Sequence, residues 1–93
     1  MLDNAQLNKW VQIFAALASE ARLRITEMLT EGRVECQEIL GRIDLSQPAI
    51  SYHLAKLERA GVLVKEKSGS RNCYRLNDRI RSLIKTITQE EKR

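Results

Sequence analysis

Residues 45–61, LSQPAISYHLAKLERAG, decide the fold, because they predict one helix with both ends marked. Ser46 can cap the first backbone N–H groups, and Pro48 in the first turn loses no hydrogen bond. Gly61 can adopt the left-handed conformation that ends a helix. The i, i+4, i+7 spacing of apolar residues predicts one buried stripe, formed by Ile50, Leu54 and Leu57.

The opposite face of this helix carries small or hydrogen-bonding side chains and no carboxylate over its first two turns. A helix that enters a DNA major groove needs this chemistry. Gln47 can pair with an adenine edge, and Tyr52 can reach a phosphate or pack on a thymine methyl group. The alternative is an ordinary amphipathic helix with a polar outside. We predict DNA contacts from this helix at Ser46, Gln47, Pro48, Ser51, Tyr52 and Lys56.

The length and composition indicate one small domain spanning residues 1–93, with 43% apolar residues for a core. No apolar run approaches the roughly 18 residues of a membrane span. The first residues also lack the pattern of a signal peptide. We therefore expect a cytoplasmic protein that does not associate with a membrane.

The net charge of +4 is unevenly distributed along the chain. Residues 1–55 hold five basic and seven acidic side chains, whereas residues 56–85 hold nine basic and three acidic ones. The positive excess begins inside the key helix and continues past it, as expected for a surface that binds a polyanion. The alternative is a chance fluctuation of surface charge.

Helices are predicted on both sides of the key helix. The first, at about residues 4–18, has a helical apolar stripe, and Ser19 caps a second helix that runs to about Glu31. Arg22 and Arg24 on the second helix are expected to point outward. A short strand near Val34 and a third helix ending near Arg42 follow. A tight turn then leads into the key helix, so residues 35–60 predict a helix-turn-helix.

A β-hairpin and a last helix complete the chain. Residues 62–76 alternate around the turn Ser68-Gly69-Ser70 and predict two strands, the "wing" of a winged helix. Its predicted DNA-binding side chains are Lys65, Lys67 and Arg71. The last helix spans about residues 78–90 and is placed most simply beside the first. The apolar stripes of these two helices predict a homodimer interface made of Leu7, Trp10, Val11, Phe14, Ile80, Leu83, Ile84 and Ile87.

The order of these elements resembles that of the ArsR–SmtB family of winged helix-turn-helix repressors. The resemblance rests on residues 14–25, 45–54 and 57–64, and on the wing residues Gly69-Ser70-Arg71 and Tyr74-Arg75-Leu76. It implies a mainly α-helical homodimer with a β-hairpin wing, in the order helix, helix, short strand, helix, helix, strand, strand, helix. It also implies a repressor that binds a palindromic duplex operator until an inducer releases it. By resemblance, the base-reading positions are Gln47, Pro48, Ser51 and Tyr52, whereas helical phase gives His53 a structural role.

The inducer is not identified by the sequence. Family members that sense arsenic or cadmium carry a CxC pair where this chain has Glu35 and Gln37, with Cys36 between them. The last helix also lacks the histidines of zinc- and nickel-sensing members. We therefore predict no metal site and no cofactor. Cys36 and Cys73 support a hypothesis of thiol or redox sensing, because the strand near Val34 should pair with the return strand of the wing. The alternative is two unrelated small apolar side chains in a reducing compartment.

Three classes of function can be compared for this chain. A dimeric DNA-binding repressor accounts for the polar outer face of the helix at residues 45–61, which is carboxylate-free over its first two turns. A winged helix that binds an acidic protein partner, without an operator, is the alternative. An enzyme is not expected, because the chain has one histidine, no nucleophile motif and no phosphate-binding glycine loop.

Overall fold

The computed structural model describes residues 1–91, with side chains described as far as Thr88. Its helices are α1 (Asn4–Leu17), α2 (Glu20–Met28), α3 (Cys36–Arg42), α4 (Gln47–Arg59) and α5 (Asp78–Glu91). Its strands are β1 (Val34–Glu35), β2 (Leu63–Ser68) and β3 (Arg71–Leu76). This is the element order of the predicted winged helix-turn-helix, which is therefore confirmed.

Helices α1 and α2 begin at side-chain caps. The carboxylate of Asp3 accepts a hydrogen bond from the backbone N–H of Gln6 at 2.8 Å, and the Gln6 side chain accepts one from the backbone N–H of Asp3 at 3.0 Å. Ser19 accepts from the backbone N–H of Arg22, so α2 begins where predicted. These bonds satisfy N–H groups that have no partner inside a helix.

The second helix ends earlier than predicted. Its α-helical part stops at Met28, and a 3-10 turn at Leu29–Glu31 leads to Gly32, whose φ is +140°. The Thr30 hydroxyl donates to the carbonyl of Glu27 at 2.7 Å, which supports the tighter turn. Sequence periodicity does not separate one last α-helical turn from a 3-10 turn, because both keep the apolar stripe inward.

The sheet is antiparallel with strand order β1-β3-β2. Glu35 of β1 and Glu66 of β2 both lie opposite Cys73 of the central strand. On the other face, Val34 and Lys65 lie opposite Tyr74. Since side chains alternate between the faces of a strand, Cys73 points away from the face that carries Tyr74.

The core lies between the helices and the Tyr74 face of the sheet. Ile50, Leu54 and Leu57 of α4 are almost fully buried, as the stripe predicts. Helix α5 adds Ile80 and Ile84, and it packs against α2 and the 3-10 turn, not chiefly beside α1 as the sequence suggests. Among residues 1–91, no helix is both long and apolar enough to cross a bilayer.

Candidate nucleic-acid interface

Helix α4 presents one face of its first two turns to solvent. The hydroxyl of Ser46 accepts a hydrogen bond from the backbone N–H of Ala49 at 3.3 Å, and Pro48 occupies the first turn. No acidic residue lies in this turn. The helix dipole and the absent carboxylates therefore leave this end electropositive. The exposed side chains here are Ser46, Gln47, Pro48, Ser51 and Tyr52.

Tyr52 is held against its neighbours on the exposed face. The ammonium of Lys56 lies 5.5 Å from the centroid of the Tyr52 ring, within the range of a cation–π contact. The His53 ring meets the Tyr52 ring edge-on, with centroids 5.3 Å apart. These contacts bring together two predicted DNA-binding residues, Tyr52 and Lys56, one helical turn apart.

His53 has the structural role that its helical phase indicates. The Nη1 of Arg22 donates to Nδ1 of His53 at 3.2 Å, and Nε of Arg22 donates to the carbonyl of Ala16 at 2.6 Å. Burial and the charge of Arg22 lower the pKa of His53 from its ordinary value. The imidazole is therefore held neutral, with Nδ1 as the acceptor.

The outward direction predicted for Arg22 is wrong. Its guanidinium turns back and joins the end of α1 to α4. No local pattern reveals this contact, because His53 lies 31 residues further along the chain. By contrast, Arg24 does point outward, where it forms an exposed ion pair with Glu20.

The cations of the wing lie on two different faces of the hairpin. Lys65 and Lys67 are exposed and lie opposite Tyr74 and Asn72, respectively, in the strand register. Arg71 lies on the other face, together with Arg75. The structure therefore does not gather the three predicted wing residues into one cluster.

Both arginines of the wing are paired with carboxylates. Nη1 of Arg71 lies 3.2 and 3.3 Å from the two carboxylate oxygens of Glu35. Nε of Arg75 lies 3.2 Å from Oε1 of Glu66. Sequence analysis missed the partner of Arg71, which lies 36 residues earlier in the chain.

The two cysteines are free thiols, Cys36 at the first position of α3 and Cys73 in the central strand β3. Cys36 packs against the core, and its proximity is one reason why the pKa of Tyr74 is raised, after burial and together with Glu58. Cys73 lies on the face of the sheet opposite to that of Tyr74. It is 3% exposed there, between the two ion pairs of the wing. The predicted pairing of β1 with β3 occurs, and it places Glu35, the residue before Cys36, opposite Cys73.

The residues predicted for the homodimer interface divide into two groups. Ile80 and Ile84 are 1% and 7% exposed within the single chain, so they have almost no surface left for a second subunit. This differs from the prediction, because the apolar stripe of α5 also supplies the core of its own chain. Trp10 and Leu83 are half-buried. The large exposed apolar residues of the set are Leu7, Val11, Phe14 and Ile87.

A metal cluster is not found among the described residues, where no three His, Cys, Asp or Glu side chains gather at one point.

The exposed helix start, the buried opposite face and the adjacent hairpin define a winged helix-turn-helix protein. Residues 17–66 match the helix-turn-helix domain family. The class of protein follows from both observations.

Known relatives narrow this class to a family. An uncharacterised HTH-type transcriptional regulator of Methanocaldococcus jannaschii is 34% identical over 83 residues, covering 87% of this chain and 93% of its own. The arsenical resistance operon repressor of Escherichia coli is 38% identical over 81 residues, covering 86% and 69%. The solved structure of HlyU from Vibrio cholerae has 31% identity and a TM-score of 0.86, with all of both chains covered.

The chain belongs to the ArsR–SmtB family of winged helix-turn-helix transcriptional regulators, which bind DNA. It is a regulator, not an enzyme.

Proposed function

We propose that this protein is a cytoplasmic homodimeric repressor that binds a palindromic duplex operator through α4 and the wing. The observation that carries the proposal is the exposed, carboxylate-free start of α4, on a helix whose opposite face is almost fully buried. Gln47, Ser51 and Tyr52 are the base-reading side chains in this proposal. Lys56, Lys65, Lys67 and Arg71 contact phosphates.

The exposed apolar residues of α1 support the dimer. Leu7, Val11 and Phe14 are 52%, 55% and 55% exposed, which is costly for an isolated chain. A second copy covering them would present two recognition helices related by a two-fold axis, and a palindrome has the same symmetry. A solved homolog from Mycobacterium bovis is itself described as a homodimeric winged helix-turn-helix domain, although it shares only 22% identity with this chain.

The direction of regulation is proposed from the E. coli relative, which is named a repressor. The V. cholerae relative HlyU is named a transcriptional activator, with 34% identity over 80 residues. A reporter gene placed behind the operator separates the two. Repression predicts that reporter output rises when the protein is deleted, and a fall would contradict it.

The test of DNA binding is the salt dependence of affinity for duplex DNA. Each phosphate contact should contribute about 0.9 to the slope of log K against log salt. We expect a slope of several units, measured by fluorescence anisotropy. A flat response would contradict the proposal and favour the alternative, a winged helix that binds a protein partner.

Release of DNA by thiol oxidation is a second, separate part of the proposal. It is supported by the position of Cys36 at the start of the helix-turn-helix and of Cys73 in the wing. An added two-electron oxidant would join the two sulfurs in a disulfide, with loss of both thiol protons, and this bridge would tilt the wing or α4 and release DNA. The test compares operator binding of the wild type and of the Cys36→Ser, Cys73→Ser double variant after oxidant treatment. An oxidant effect that persists in the variant would contradict thiol sensing.

A further inference from the structure

A groove of about 420 Å³ lies between α1, the start of α2 and the C-terminal end of α4. Four side chains that line it are cationic, and its other lining residues are one glutamine and three alanines. No carboxylate lines it. The four cations come from three helices: Lys9 from α1, Arg22 from α2, and Lys56 and Arg59 from α4.

The charge of this groove is not neutralised by the described part of the chain. The ion pairs among the described residues involve Arg24, Arg42, Arg71 and Arg75, and none of these arginines lines the groove. Like charges around one concavity repel each other, and a bound anion relieves this repulsion. A monovalent carboxylate would neutralise only part of the charge, so a multivalent anion is the better match.

The cations are positioned by contacts already described. Two hydrogen bonds, to Ala16 and to His53, fix the guanidinium of Arg22 and leave its other N–H groups able to donate. Lys56 is held over the ring of Tyr52. Arginine and lysine together are a common pair for phosphate, because one offers a planar fork and the other a point charge.

We propose that this groove binds a phosphate group, carried either by the backbone of duplex DNA or by a small phosphorylated molecule. For the first source, the proposal rests on the proposed DNA binding. For a small phosphorylated molecule, the proposal does not depend on DNA binding. The groove would then be an effector site next to α4. Both sources use the same chemistry, and two assays separate them.

The experiment compares two double variants that each lose two positive charges. Lys9→Gln with Arg59→Gln removes two exposed cations of the groove. Arg33→Gln with Arg79→Gln is the matched control, because both residues are exposed and lie outside the groove and outside the proposed DNA surface. Each protein is titrated with inorganic pyrophosphate by calorimetry and with duplex DNA at several salt concentrations.

A small-molecule site predicts that the groove variant binds pyrophosphate about tenfold or more weakly than the wild type, since each charged hydrogen bond is worth at least this factor. The control variant should keep its affinity, and DNA binding should be equal in both. A DNA site predicts instead that the groove variant binds all duplexes more weakly than the control does. Its salt slope should then be lower by about one unit for each phosphate that the variant no longer neutralises.

The proposal is overturned if the two variants behave alike in both assays. If the wild type shows no salt-dependent DNA binding, the proposed function fails, and the pyrophosphate titration still tests the groove independently. Pyrophosphate binding that both variants retain would place the anion elsewhere and would also overturn the proposal.

Discussion

Gln47 is the residue on which sequence preference should depend most. It is exposed at the first position of α4, and its amide can donate and accept at one adenine edge. Sequence reasoning reached this residue because the helix start is marked locally by Ser46 and Pro48. The base that it contacts is a property of the complex and not of the chain alone.

Gln47→Ala should cost about 1–3 kcal/mol on the cognate operator and leave affinity for random duplex unchanged. The reason is that the variant cannot pair with a base edge, whereas its phosphate-binding side chains are intact. Anisotropy titrations on cognate and scrambled duplexes measure both values. Gln37→Ala, at an exposed glutamine of α3, is the control. An equal reduction on both duplexes would contradict base reading by Gln47.

His53 should make stability depend on pH. Its folded-state pKa is lowered, by burial first and then by Arg22, below the ordinary value of 6.5. The unfolded chain therefore binds a proton more readily than the folded chain does. The stability contributed by neutral His53 is fully present above the unfolded pKa and is lost as pH falls through the folded one.

We expect the free energy of unfolding to fall between about pH 7.5 and about pH 5 more steeply for the wild type than for His53→Gln, which does not titrate. Urea denaturation at several pH values measures this difference. An NMR titration of the imidazole provides the direct check. A His53 pKa at or above the ordinary value would refute the assignment.

At the scale of elements, the wing is linked to the helix-turn-helix by the ion pair between Arg71 and Glu35. Helix caps and apolar stripes predicted the helices, apart from the last turn of α2, because those signals lie within a few residues of one another. This ion pair could not be predicted, because it depends on the register of β1 with β3. The sequence therefore predicted a free cation where the structure has a paired one.

Glu35→Gln should raise DNA affinity by up to about fivefold, the range of an exposed ion pair. The substitution releases Arg71 and removes a carboxylate that repels phosphate. Glu38→Gln is the matched control, because it breaks an ion pair with Arg42 on α3 and changes the net charge equally. Equal gains for both variants would indicate a general charge effect and would rule out this specific role for Glu35.

The whole molecule shows how far periodicity can predict assembly. An apolar stripe identifies the inward side of α1 and α5, but it does not divide that side between the chain's own core and a second subunit. Ile80 and Ile84 lie in the core, whereas Val11 and Phe14 are exposed. Only the tertiary packing, of α1 against α2 and α4 and of α5 against α2, separates the two groups.

Val11→Glu should separate the proposed dimer and weaken operator binding, because a buried unpaired carboxylate is costly at an apolar interface. Sedimentation velocity and operator titrations measure the two effects. Ala5→Glu is the control on the same helix, at an exposed position turned away from Val11. A Val11→Glu protein that keeps both the wild-type sedimentation coefficient and operator affinity would contradict this interface.

The rate at which Cys73 reacts with a thiol reagent should measure how often the hairpin opens. Its sulfur is shielded between Glu35 and Glu66, whereas Cys36 is partly accessible. A coloured thiol reagent should therefore titrate one sulfhydryl quickly and the second only as fast as the strands part. The rate of the slow phase therefore measures hairpin opening. Operator DNA bound to the hairpin should make this phase slower.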